Sequence, residues 1–138
     1  MATEQNNKAI LSEAYQLWHE TKGGSVQHWL DISSENISFG SLAQGAAPVR
    51  FTAPRNNKKE MHGYLRDLTN EWEMIHYTVD HYIAEGDFVI AVGSTAWTNK
   101  ATGKIADTRK VDVTKFRDGK MVEFFEYYDT AALIDAAS

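Results

Sequence analysis

The stretch RKVDVTKFRDGKMVEFFEYYD, residues 109–129, decides the fold. It alternates apolar and polar positions on both sides of Asp118-Gly119, the pattern of two strands joined by a tight turn. Side chains alternate along a strand, so Lys110, Asp112, Thr114 and Phe116 share one face, while Arg109, Val111, Val113 and Lys115 share the other. The face taken by Glu126 depends on the turn. If Asp118-Gly119 is a two-residue turn, Arg117 pairs with Lys120 and Glu126 falls opposite Val111, away from Asp112. If Arg117-Asp118-Gly119 is a three-residue loop with Gly119 in a bulge, Phe116 pairs with Lys120 and Lys110 lies opposite Glu126. In that register Lys110, Asp112, Phe124, Glu126 and Tyr128 all face one way. Both registers leave each face mixed, so periodicity does not choose between them.

Working outward from this hairpin, the two-residue period begins at His76 and gives four strands, 76–84, 87–98, 105–116 and 120–129. Short turn-like joints at 85–87, 99–104 and 117–119 make successive strands antiparallel neighbours. Upstream the period is helical. Ile10, Leu11, Ala14, Tyr15, Leu17 and Trp18 predict an amphipathic helix over 5–20, ended by Lys22-Gly23-Gly24. Ser25 then caps a short helix carrying Val26, Trp29 and Leu30, and residues 36–39 form a short strand. A third helix over 57–73 places Met61, Leu65, Leu68 and Trp72 on one stripe. Helices first and strands last is an α+β order, with three helices laid on one face of a curved antiparallel sheet. The segment 40–56 holds both prolines, Pro48 and Pro54, and reads as mobile or partly stranded ahead of a lid.

The 138 residues fit one domain, and 43% hydrophobic residues suffice for a single core. The net charge of −5 offers no basic face to a phosphate backbone, so nucleic acid is not an expected partner. The absence of cysteine excludes disulfides, a thiol nucleophile and thiolate metal sites. No basic leader precedes an apolar run and no stretch reaches the roughly 18 apolar residues of a membrane span, so the chain reads as soluble and cytoplasmic. His76 and His81 lie five apart in one strand and point to opposite faces, and His19, His28 and His62 have no paired spacing, so no metal site is expected. No Gly-x-Ser-x-Gly elbow or phosphate-cradling Gly-x-x-x-x-Gly-Lys appears.

The helices-then-sheet order, with residues 111–120 (VDVTKFRDGK) followed by FFEYYD at 124–129, resembles the nuclear transport factor 2-like superfamily, and within it the SnoaL-like and ketosteroid isomerase-like group. The resemblance implies a cone-shaped α+β barrel with a pocket between the concave sheet face and the helices, and a homodimer through the convex face. It favours the three-residue register, in which the charges line the pocket. It also implies roles. Asp112 falls where ketosteroid isomerases keep an oxyanion-hole acid, and Tyr15 falls near their second donor, while Phe39-Gly40-Ser41 stands where their base belongs. The epoxide hydrolases of the group carry an Arg, an Asp and a further Asp where this chain has Lys110, Asp112 and Glu126. Two carboxylates flanking an ammonium can split their proton affinities into an acid and a base. A packing salt bridge is the competing reading. The expectation is thus a small-molecule pocket protein, an isomerase, cyclase or hydrolase needing no cofactor, or a binder of the same fold. Asp112, Glu126, Lys110 and Tyr15 are its candidate catalytic residues. Phe124, Tyr128, Trp18, Trp29 and Phe39 are candidate walls for a small, largely apolar ligand.

Overall fold

A computed structural model describes residues 2–138. Four helices, α1 (Ala2–Glu20), α2 (Val26–Asp31), α3 (Lys58–Glu71) and α4 (Thr130–Ala137), accompany five strands, β1 (Ser33–Ser41), β2 (Trp72–Glu85), β3 (Phe88–Asn99), β4 (Ile105–Arg117) and β5 (Lys120–Tyr128). The strands form one sheet in the order β1-β5-β4-β3-β2, curved and left open at its two edge strands instead of closing into a barrel. Four strands are antiparallel neighbours as expected, but β1 runs parallel to β5. That pairing needs the long crossover which α3 and the rest of the sheet supply.

Local chemistry explains the element ends. α1 stops where Lys22 and Gly23 take positive φ, and the N–H groups of Lys22 and Gly23 return to the carbonyls of His19 and Trp18 at 3.2 and 3.0 Å. α3 starts at Asn57, whose side chain accepts from the Glu60 N–H at 2.8 Å. Ser25 precedes α2 but makes no side-chain cap bond. Trp72 does not belong to α3 as the stripe suggested. It opens β2 by pairing with Asn99. The fourth helix, absent from the expected order, begins at Asp129, whose carboxylate accepts from the Ala132 N–H at 3.1 Å.

Neither anticipated register of the β4–β5 hairpin is the one formed. Asp118 and Gly119 both have positive φ and make a two-residue turn, with Arg117 opposite Lys120. An extra residue, Val122, is then bulged between the Phe116–Met121 and Lys115–Glu123 pairs. The bulge shifts the register by one, so Asp112 lies opposite Glu126 and Lys110 opposite Tyr128. All four therefore face inward.

The core lies between the concave sheet face and α1–α3, built around Leu11, Ile37, Met61, Trp72, Phe116 and Met121. The segment 40–56 is not loose. β1 runs into it as far as Ser41, Val49 and Phe51 are buried, and Arg55 bridges to Phe39 through paired backbone hydrogen bonds of 2.8 and 2.9 Å. On the outer face, cross-strand registers align Ile90, Val113 and Phe125 in one row and Val92, Val111 and Tyr127 in the next. Ile75, Ile83, Phe88, Ile105 and Tyr127 are exposed. No helix among the described residues is long and apolar enough to cross a membrane.

Candidate functional site

The inward positions of β4 and β5 and the inner faces of the helices enclose a cavity of about 90 Å³. Tyr15 and Trp18 reach it from α1, Trp29 from α2, Phe39 from β1, Lys110 from β4, and Phe124, Glu126 and Tyr128 from β5. Asp112 is the one candidate that does not line it. It is 1% exposed and set back from the wall, bonded to groups that do reach the cavity.

Lys110 joins the two acids. Its ammonium lies 2.7 Å from Asp112 Oδ1 and 2.7 Å from Glu126 Oε2, and it also donates to the Tyr77 hydroxyl. The same nitrogen stands 4.8 Å from the Tyr77 ring centroid and 5.9 Å from that of Phe124. Asp112 Oδ2 accepts from the hydroxyls of Tyr15 and, at 2.5 Å, Tyr77. Glu126 Oε1 accepts from the Tyr64 hydroxyl. Tyr64 continues to Ser41 Oγ at 3.3 Å, and Ser41 shares a 2.5 Å hydrogen bond with Tyr128. Lys110 and Glu126 give the wall its charge, and Thr52, Thr95 and Thr108 add further polar side chains to it. Aromatic and aliphatic side chains, including Trp72, Trp97, Phe51, Met61, Leu65 and Leu133, complete it.

Burial sets the protonation preferences. It raises the carboxyl of Asp112 above the usual aspartate range, with the Glu126 charge adding to the rise and Lys110 opposing it. Burial alone would pull Lys110 down, but Asp112 and Glu126 outweigh it and hold the ammonium above the ordinary lysine value. The hydroxyls of Tyr15, Tyr64 and Tyr77 are pushed well up, first by burial and then by the carboxylates, so they are proton donors near neutrality. Two carboxylates share one ammonium, which leaves one excess negative charge when both acids are ionised. Among the described residues no group of three or more His, Cys, Asp or Glu side chains is placed to hold a metal ion.

The sequence reading missed Tyr64, Tyr77, Ser41 and Phe51. Tyr64 sits three positions after Met61 on the buried stripe of α3, a spacing that would have revealed it. Tyr77 was hidden by a bulge. Ile75 is extra in the β2–β3 pairing, so inward parity passes from Trp72 and Met74 to Tyr77 and Val79. A second bulge at Asp80 leaves His81 exposed and, with His76 opposite Ala96 and His81 opposite Val92, puts the two histidines on the same face and not on opposite ones.

Against known proteins, the model of the SnoaL-like domain matches residues 14–124. No protein of curated function matches the sequence. Among solved structures, a nuclear transport factor 2-like protein from Burkholderia xenovorans LB400 superposes with a TM-score of 0.81 at 21% identity, covering 98% of each chain. A proposed isomerase from Bacillus subtilis gives 0.81 at 19% identity, over 99% of this chain and 96% of that one. A proposed SnoaL-like polyketide cyclase from Jannaschia sp. CCS1 gives 0.79 at 14% identity, over 99% and 94%. At these identities the superpositions speak for the fold, and with a family model spanning most of the sequence the chain belongs to the SnoaL-like domain family.

Proposed function

We propose that the cavity binds a small, largely apolar molecule and that its charged end transfers protons on it, as in an isomerase, cyclase or hydrolase. The observation that carries this reading is the charge count. An ion pair built only for packing needs one carboxylate per ammonium, whereas Lys110 is shared by Asp112 and Glu126. The surplus acid is a base held in an aromatic-walled cavity. Glu126 lines the cavity and is the group assigned to the proton transfer itself, with Tyr64 as its donor partner. Asp112, held by Tyr15 and Tyr77, acts through Lys110 by fixing the ammonium and its charge. In the simplest reaction the Glu126 carboxylate takes a proton from a carbon next to a carbonyl. The electron pair moves onto the carbonyl oxygen as an enolate, and the protonated acid returns the proton to the same or a neighbouring carbon. The proposed isomerase and polyketide cyclase among the structural neighbours accord with that reaction class.

The test follows α-proton exchange of propanone, cyclopentanone and cyclohexanone in D2O by NMR. The protein is expected to accelerate exchange of at least one ketone, and Glu126→Gln, which keeps size and hydrogen bonding, to lower that rate by about 10²- to 10⁴-fold. Saturable binding with no acceleration over buffer would instead assign the chain to the non-catalytic binders of this fold.

A further inference from the structure

The parallel pairing of β1 with β5 sets Ser41 beside Glu126, and the Leu42 N–H donates to the Glu126 carbonyl at 3.0 Å, so the end of β1 is fastened to the residue assigned as base. Ser41 is 1% exposed, and a hydroxyl buried that far needs partners. Two are in reach. Its Oγ lies 3.3 Å from the Tyr64 hydroxyl and 2.5 Å from the hydroxyl of Tyr128, which faces inward two positions after Glu126. The Tyr128 oxygen also accepts from the Ala43 N–H at 3.2 Å. The directions of these bonds follow from proton counting, because each hydroxyl has one proton to give. Tyr64 gives its own to the Glu126 carboxylate, so in its contact with Ser41 the serine donates. That spends the serine proton, and Tyr128 therefore donates to Ser41. The Ala43 N–H, which can only donate, closes the far end. Every bond points toward Glu126.

We propose that Ser41 and Tyr128 are positioning residues for Glu126, links in a one-way chain of hydroxyls that starts at the Ala43 N–H and holds the Tyr64 proton on the carboxylate. A hydroxyl that accepts a hydrogen bond becomes a better donor, so each link strengthens the next. Ser41 is not part of the cavity wall and acts on the base through Tyr64. With Tyr64 on Oε1 and Lys110 on Oε2, both oxygens of Glu126 are pinned, and the carboxylate keeps one orientation toward a ligand before that ligand arrives. Packing alone would be served by alanine at 41 and phenylalanine at 128, which leave no polar group to satisfy. The assignment rests on the proposed role of Glu126 and adds what holds it in place.

Proton NMR of the whole protein reads the chain with no ligand present. A tyrosine hydroxyl bound to a carboxylate and shut off from water gives a signal downfield of the amides, and the Tyr64 signal is the one lost in Tyr64→Phe. Ser41→Ala removes the donor to Tyr64 and is expected to move that signal upfield. Tyr128→Phe keeps the ring and its packing, removes a hydroxyl two links away, and should move the signal in the same direction by less. A signal that stays in place in either variant, or no such signal in the wild type, overturns the chain. Should Ser41→Ala fail to fold, Tyr128→Phe decides alone by the same shift. In the α-proton exchange of a bound ketone, Ser41→Ala should lower the rate about fivefold, the worth of one neutral hydrogen bond, and leave the affinity unchanged. A change confined to affinity overturns the positioning role. The two readings fail separately. If no ketone exchanges, the proton-transfer reading falls and the Tyr64 shift still judges the chain, whereas exchange with an unmoved Tyr64 signal sinks the chain alone.

Discussion

Lys110 has no substitute within its cluster. Among the described residues its ammonium is the one cation between Asp112 and Glu126, and the tyrosines around them supply hydrogen bonds without charge. Lys110→Met keeps the length of the side chain but leaves two buried carboxyls without a counter-charge, a change that costs about 3–5 kcal/mol. The loss depends on pH in a stated direction. Burial already raises Asp112, and removing the lysine takes away the largest influence that lowers it. An acid whose folded-state pKa lies above its unfolded value contributes stability below that unfolded value, near 3.8 here, and loses it as pH rises through the folded value. Lys110→Met should therefore lie closest to the wild type in acid and fall behind as pH rises toward neutrality, in urea titrations at a series of pH values. An equal deficit at every pH would mean that the lysine serves packing alone. Lys110 and Asp112 were legible as a pair because they occupy strand positions of the same parity, whereas Glu126 joins their face only through the Val122 bulge, which the sequence does not mark. The hydroxyl partners of all three were not legible either, since a tyrosine in a helix stripe or a strand reads first as an apolar wall.

At the scale of elements, single extra residues decide which side chains meet. The bulge at Val122 brings Asp112 opposite Glu126, and those at Ile75 and Asp80 turn Tyr77 inward and His81 outward. Period-two patterns carry no mark of where a bulge falls, so strand existence and order could be read while pairing could not. The short α4 escaped for a related reason, because TAALIDAA offers too few turns for a helical period to show. Beside the Asp80 bulge, Gly93 runs so close to β2 that an added Cβ would stand 1.9 Å from the Thr78 carbonyl oxygen. Backbone cannot yield as a side-chain tip can. Gly93→Ala is expected to cost about 3 kcal/mol or more, read as a lowered denaturation midpoint, whereas Ala at the unobstructed Gly86 meets no neighbour and pays only for its positive φ. Equal losses at the two sites would contradict the close approach.

For the whole molecule, the α+β order followed from the switch between helical and strand periods, and that switch is robust to local errors of register. Outer-face rows Ile90–Val113–Phe125 and Val92–Val111–Tyr127, with exposed Ile83, Phe88 and Ile105 on the same face, present an apolar surface on the side away from the cavity. We expect this face to pair with a second copy. Light scattering across a range of concentrations should report a dimer mass, and Tyr127→Lys, with Tyr127 outside the cavity wall, should shift it to the monomer while preserving ligand binding. A monomer at every concentration would rule the pairing out.

The parallel seam between β1 and β5 bears on how the protein is made. Phe39 pairs with Phe124, about 85 residues later, so β1 leaves the ribosome on the order of 4–17 s before its partner strand exists. During that interval its hydrogen-bonding edge is open, and polar residues through much of SSENISFGS keep it a poor template for stray strands. Ile37 and Phe39 are the exceptions, both buried in the finished fold. The cavity wall at Phe39 and Tyr128 can close only once synthesis has passed β5, so the nascent chain has no complete place to hold a ligand until its whole sheet has been made.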